Sequence, residues 1–171
     1  MDILSYSLGR FLSHYDAQFV LLGSGDESIL SIYDYLKNIF PDKVAIYKGY
    51  NGDLSHKIEA GADIFIMPSR YEPCGLNQMY SLKYGTVPIV RATGGLDDTV
   101  EEWNSTEKTG SGFKFIHLNE WDLEQTIIKA ADAYHNSEDW KIIQQNGMSY
   151  TNSWDDAADE YIKLYHNVTK F

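Results

Sequence analysis

The chain has a single cysteine, Cys74, among 171 residues. That excludes an intramolecular disulfide framework and a multi-cysteine zinc site. Its five histidines, His14, His56, His117, His135 and His166, never fall at the i, i+4 spacing of a helical metal pair, so no metal is expected. No apolar run approaches the roughly 20 residues of a membrane span. No basic segment followed by an apolar stretch opens the chain, so no signal peptide is expected and the cytoplasm is the expected location. Cations are scarce too: 14 Lys and Arg against 25 Asp and Glu give a net charge of −11. A nucleic-acid surface needs a concentrated basic patch, and that class is excluded. An anionic small ligand would need local help from helix N-termini, glycine loops or a few placed cations.

What is present is a pattern of short apolar runs alternating with longer helical stretches, which predicts an α/β domain with a parallel sheet. The opening stretch places Ile3, Leu4, Leu8, Phe11 and Leu12 at helical spacing. AQFVLLGSGDE reads as a strand running into a glycine turn and then a helix through about Phe40. KVAIYKGYN reads as a second strand and ADIFIMPS as a third, almost wholly apolar, as a strand covered on both faces should be. CGLNQMYSLKYG reads as a helix closed by Gly85. TVPIVRATGGLDDTVEEW reads as strand, glycine loop and helix, GFKF as a short last strand, and three further helices end with Trp154 to Val168. The chain opens in a helix, whereas doubly wound domains usually start with a strand.

Ligands of open parallel sheets bind beyond the carboxyl ends of the strands. Four loops take that position: Gly23 to Gly25, Gly49 to Asn51, Ser69 to Gly75, and Thr93 to Gly95. One glycine after a strand is only what a tight turn needs; four on one edge point to a shared cleft. The segment from Glu72 carries the most chemistry. Pro73 fixes the chain, and the N–H groups of Gly75, Leu76 and Asn77 are free to point at an anion, helped by the helix dipole. Glu72 on the lip can accept hydrogen bonds from neutral hydroxyls. A diphosphate joined to a polyol, as in a nucleotide sugar, fits that pairing. Cys74 reads as a small residue lining the site rather than a nucleophile. Arg70 and Arg91 read equally as cleft cations or as surface ion pairs, and Tyr50 as a ring for stacking or for packing.

The stretch ADIFIMPSRYEPCGLNQMYSLKYGTVPIVRATGGLDDTV closely resembles the signature of bacterial glycogen synthases and plant starch synthases, retaining glucosyltransferases of two-lobed GT-B architecture. P-S-R-aromatic-E-P-C-G-L-x-Q, L-K-Y-G-T-x-P and T-G-G-L-x-D-T-V occur in order at family spacing, and GYNGDLSHKIEAGAD, GSGFKF and SWDDAADEYIKLY extend the likeness along nearly the whole chain. The resemblance implies a Rossmann-like, doubly wound parallel sheet: the C-terminal, donor-binding lobe of a GT-B enzyme, residues 1–171, lacking its first strand. Residues 153–171 are implied to form a terminal helix packing toward an N-terminal lobe outside this sequence.

The resemblance also implies transfer of glucose from ADP-glucose to the non-reducing end of an α-1,4-glucan with retention, without a cofactor, the glucan being held through the other lobe. Glu72 would contact the donor glucose near the reacting carbon. Gly75, Leu76 and Asn77 would hold the distal phosphate, Tyr50 would stack on adenine, Cys74 would lie beside the donor, and Thr93, Gly94 and Gly95 would line its sugar and phosphates. Tyr80 stands where many related transferases carry a second glutamate, and Asn77 replaces a commoner threonine. The Arg and Lys that family members carry after the first strand are not in this sequence, so the lobe alone is expected to be inactive. No nucleic acid or membrane partner is implied. A noncatalytic nucleotide-binding module is the alternative; a phosphorylase, an epimerase or a receiver-like domain fits the motifs less well.

Overall fold

Apolar segments too short for helices become parallel strands, and the longer amphipathic stretches between them become the crossovers. A computed structural model describes residues 2–150 and 153–169. In chain order the elements are α1 (Asp2–His14), β1 (Phe19–Gly23), α2 (Glu27–Ile39), β2 (Val44–Lys48), α3 (Gly52–Gly61), β3 (Ile64–Met67), α4 (Asn77–Tyr84), β4 (Val87–Arg91), α5 (Gly95–Thr99), β5 (Phe113–Phe115), α6 (Glu120–His135), α7 (Ser137–Ser149) and α8 (Trp154–Val168).

The strands are parallel throughout, but they form two half-sheets, β1-β2 and β3-β4-β5. In the first, Phe19 lies opposite Val44 and Leu21 opposite Ile46. In the second, Ile64 lies opposite Val87, Ile66 opposite Ile89, and Ile89 opposite Phe113. The alternation of side chains along a strand puts all of these on one face. There they join a single core with Leu4, Leu8, Phe11 and Leu12 of α1 and Leu123 and Ile127 of α6. The opposite face of the second half-sheet buries Val90 with Leu96 and Val100, and Met67 packs against them.

α1 and α6 are also tied by polar contacts. Ser7 Oγ donates to the Glu120 carbonyl (2.9 Å), and Arg10 pairs with the nearly buried Glu124. α4 ends at Gly85, whose left-handed backbone (φ 79°) turns the chain into β4 as a C-terminal glycine should. The helix expected after the glycine loop is shorter than its sequence pattern. α5 stops at Thr99, because Trp103 N donates to Gly112 O (2.8 Å) and the chain from Glu102 to Gly112 folds back on itself by isolated bridges.

Glu59 of α3 is buried, and burial pushes its carboxyl above the ordinary value of 4.5, with His56 opposing weakly. A raised folded-state value means that the native protein holds this proton more tightly than the unfolded chain does. The stabilisation is therefore full on the acid side and is lost as pH rises past that value. Glu59→Gln is expected to raise the melting temperature at pH 7, with the difference from the parent closing by about pH 4; thermal melts across that range check it.

The terminal helix expected over 153–171 corresponds to α8, with residues 170–171 outside the described residues. A capping box between Ser153 and Asp156 fixes its start. None of its residues is buried, and Trp154, Tyr161, Ile162, Leu164, Tyr165 and Val168 are exposed.

Candidate functional site

Most helices of the chain begin with a side chain that caps a backbone N–H. Asp26, Asn51, Asn119, Asn136 and Ser153 do this for α2, α3, α6, α7 and α8. α4 and α5 have no side-chain cap. The first N–H groups of a helix have no partner within it and carry the positive end of its dipole. The structure brings these two uncapped starts together.

The loop before α5 is packed backbone to backbone against the turn before α4. Gly95 N donates to the Glu72 carbonyl at 3.1 Å. A Cβ on Gly94 would lie 2.1 Å from the Glu72 oxygen, and one on Gly95 would lie 2.2 Å from the Cys74 oxygen. Only glycine lets the two main chains approach so closely. Thr93 begins this loop, its carbonyl accepting from Leu96 N at 3.2 Å. Glu72, Cys74, Gly75, Leu76, Asn77, Thr93, Gly94 and Gly95 are thereby gathered at the C-terminal ends of β3 and β4. The Glu72 carboxylate is half-buried, with the Ser69 hydroxyl 3.5 Å away. Cys74 is exposed and its thiol donates to the Gly75 carbonyl at 3.5 Å.

The sequence reading assigned no role to Gln78, which is 0 % exposed. Its Nε2 donates to the carbonyls of Cys74 (3.0 Å) and Gly75 (3.1 Å) and to Thr99 Oγ1 (3.1 Å). Thr99 Oγ1 in turn donates to the Gly95 carbonyl. One side-chain amide thus locks the turn before α4 to α5 and turns its carbonyls inward. The signal available in the sequence was a polar residue on the helical face otherwise occupied by Ser81 and Leu82, all three of which are buried.

The two candidate cations are engaged elsewhere. Arg70 pairs with Asp2 at the start of α1 and holds that carboxyl below its ordinary value through their hydrogen bond. Arg91 donates to the carbonyls of Arg70 and Ile116. Both arginines brace the edge, so the positive character of the site comes from amides. Tyr50 stands beyond β2, in the other half-sheet, 93 % exposed. Gly49 beside it is held by a 2.8 Å bond from its N–H to the Gly23 carbonyl, so the loops after β1 and β2 lie side by side, as the loops after β3 and β4 do in the other half-sheet. Among the described residues no group of three or more His, Cys, Asp or Glu comes together as a metal site, and no helix is long and apolar enough to cross a membrane.

This parallel α/β arrangement, with glycine loops at the carboxyl ends of its strands, is that of the C-terminal lobe of a GT-B glycosyltransferase. The chain belongs to the glycosyl transferases group 1 family, whose model matches residues 3–147. It is 48% identical over 165 residues to a glycogen synthase of Koribacter versatilis, covering 96% of this chain and 34% of that protein. With a glycogen synthase of Finegoldia magna it shares 43% identity over 170 residues, 99% of this chain and 36% of the relative. Among solved structures, the catalytic domain of starch synthase IV from Arabidopsis thaliana, bound to ADP and acarbose, is similar at a TM-score of 0.82 and 33% identity, covering 97% of this chain and 35% of that one. The chain spans about a third of the length of these relatives.

Proposed function

We propose that the chain is the donor-binding lobe of a glycogen or starch synthase, which transfers glucose from ADP-glucose to the non-reducing end of an α-1,4-glucan with retention. The observation that carries this reading is the meeting of two uncapped helix starts beside Glu72. The names of the relatives and the ADP in the similar starch synthase structure support it.

The chemical task is to take up negative charge as a diphosphate departs. Preorganised N–H groups at Gly75, Leu76 and Asn77, with the glycine loop from Thr93 to Gly95 along the sugar and phosphates, do this without reorganising at the moment of reaction. Glu72 accepts hydrogen bonds from the glucose hydroxyls and offsets the positive charge that builds at the anomeric carbon. Cys74 lines the donor site, and Tyr50 stacks on the base. The acceptor glucan is held through the other lobe, toward which the exposed apolar side of α8 packs, and this chain does not elongate glucan by itself. The reaction needs no cofactor, and the cytoplasm is the location that fits a sugar-nucleotide donor.

Calorimetric titration with ADP, UDP and ADP-glucose tests the reading. ADP is expected to bind, and Tyr50→Ala to weaken it by about 1–3 kcal/mol, the range for aromatic–base stacking. The variant's fold should be unchanged, because Tyr50 is so exposed. ADP binding unmoved by both Tyr50→Ala and Glu72→Ala would overturn the site assignment.

A further inference from the structure

Gly75 leaves the polarity of the turn before α4 open. Its φ is +75°, a region that glycine enters at no steric cost, so the peptide units on either side of it have more than one orientation to choose from. A peptide unit is planar and trans, and its C=O and N–H point in opposite directions. Each unit of the turn can therefore offer the cleft an N–H or a carbonyl oxygen. Only the N–H attracts an anion.

Gln78 settles the choice. It is wholly buried, and its Nε2 draws the carbonyls of Cys74 and Gly75 toward the interior at 3.0 and 3.1 Å. The N–H groups of Gly75 and Leu76, at the far ends of those two peptide units, are thereby turned away from the interior. Neither donates to another backbone group among the described residues. The amide is not interchangeable end for end. Oε1 is buried without a hydrogen-bond partner, and the Cβ that Gly75 lacks would lie 2.5 Å from it. Turning the amide over would set Oε1 against two carbonyl oxygens, so the nitrogen keeps its place and the oxygen goes unmatched. A buried acceptor left unpaired is costly, and it stands here because the nitrogen is needed on the other side. The third acceptor of Nε2, Thr99 Oγ1, donates onward to the Gly95 carbonyl and fixes the turn against the glycine loop.

We infer that Gln78 is a positioning residue for the distal phosphate of the donor. It holds the Cys74–Gly75 and Gly75–Leu76 peptide units with their N–H groups toward the cleft, and through them it sets the preference for a nucleoside diphosphate over a monophosphate. Gln78 touches no ligand itself. Its whole effect passes through the backbone of the turn, which without it is free to present carbonyl oxygens to the phosphate. Tyr50, the seat of the base, stands in the other half-sheet and does not depend on Gln78. The inference rests on the donor-site reading, in which the amides after Cys74 receive the distal phosphate.

The test is titration of the chain with ADP and with AMP, followed by backbone-amide NMR so that weak binding is measured. Gln78→Met matches the side chain in length and removes the donor. The preference for ADP over AMP is expected to shrink by about tenfold, as for hydrogen bonds to a charged group lost from a site, with AMP affinity held. A residue that served stability alone would weaken both nucleotides together. If Gln78→Met does not fold, Gln78→Asn carries the same comparison, since it keeps a buried amide but withdraws it by one methylene from the two carbonyls. A preference for ADP equal to the parent's overturns the role of Gln78 and leaves the donor site standing. Equal loss of ADP and AMP overturns it too. A parent chain that binds ADP no more tightly than AMP removes the distal-phosphate assignment of the amides, and this inference with it.

Discussion

Gly95→Ala is expected to destabilise the protein by about 3 kcal/mol or more, in the range reserved for substitutions that break close packing or strain the backbone. The added Cβ would lie 2.2 Å from the Cys74 oxygen and 2.5 Å from the Cys74 Cα. These are main-chain atoms, so no side chain can swing away to make room. Relief requires the glycine loop to part from the turn, breaking the bond from Gly95 N to the Glu72 carbonyl. For a domain of this size, about 3 kcal/mol lowers the melting temperature by about 6–12 °C. Nucleotide binding should fall with it, because the two helix starts no longer converge. Gly61→Ala is the control: nothing lies within 4 Å of its Cβ position at the end of α3, and stability should hold or rise slightly. Melting curves of the two variants side by side decide the matter, and equal melting temperatures would mean that the loop and turn yield more easily than their main-chain contact implies.

Phe113→Ala should have an effect of about 3–5 kcal/mol, the range for removing a fully buried aromatic ring. Phe113 is 0 % exposed, sits opposite Ile89 on the core face, and carries the Lys129 ammonium 5.8 Å above its ring. Ile89 and Leu123 of the same core are themselves 0 % exposed, so the surroundings have little freedom to collapse into the void. Natural domains are stable by only about 5–15 kcal/mol, so this one ring holds a large share of the total. Denaturant unfolding should show a lower midpoint with an unchanged slope. A changed slope would mean instead that the compactness of the folded or unfolded state had altered.

The strands, the C-terminal glycine of α4 and the glycine loops that follow β1, β2, β3 and β4 were all legible in the sequence. Each is set by local chemistry: an apolar run, a residue that tolerates left-handed backbone, a break after a strand. Glu72 and the amides after it were legible for the same reason, as neighbours within one turn. Gln78 was not, because its work depends on Thr99, which lies 21 positions along the chain and comes near only once α4 and α5 have packed. Arg70 was ambiguous until Asp2 was placed beside it. The break between β1 and β3 was also out of reach, since periodicity records how a strand is covered and not which strand lies next to it. The shortness of α5 followed from long-range bonds to Gly112, which overrode a helical pattern running on to Trp103.

A grip assembled from main-chain amides has a consequence for how this surface can vary. No side-chain cap occupies the start of α4, so the positive end of that helix does not depend on any one polar side chain. What cannot vary is shape. In a saturation library read by stability, the intolerant positions should trace the two crossing segments of backbone, with Gly94 and Gly95 as the least forgiving points. Inheritance of the site then runs through the absence of atoms, and an inventory of reactive groups would pass over it.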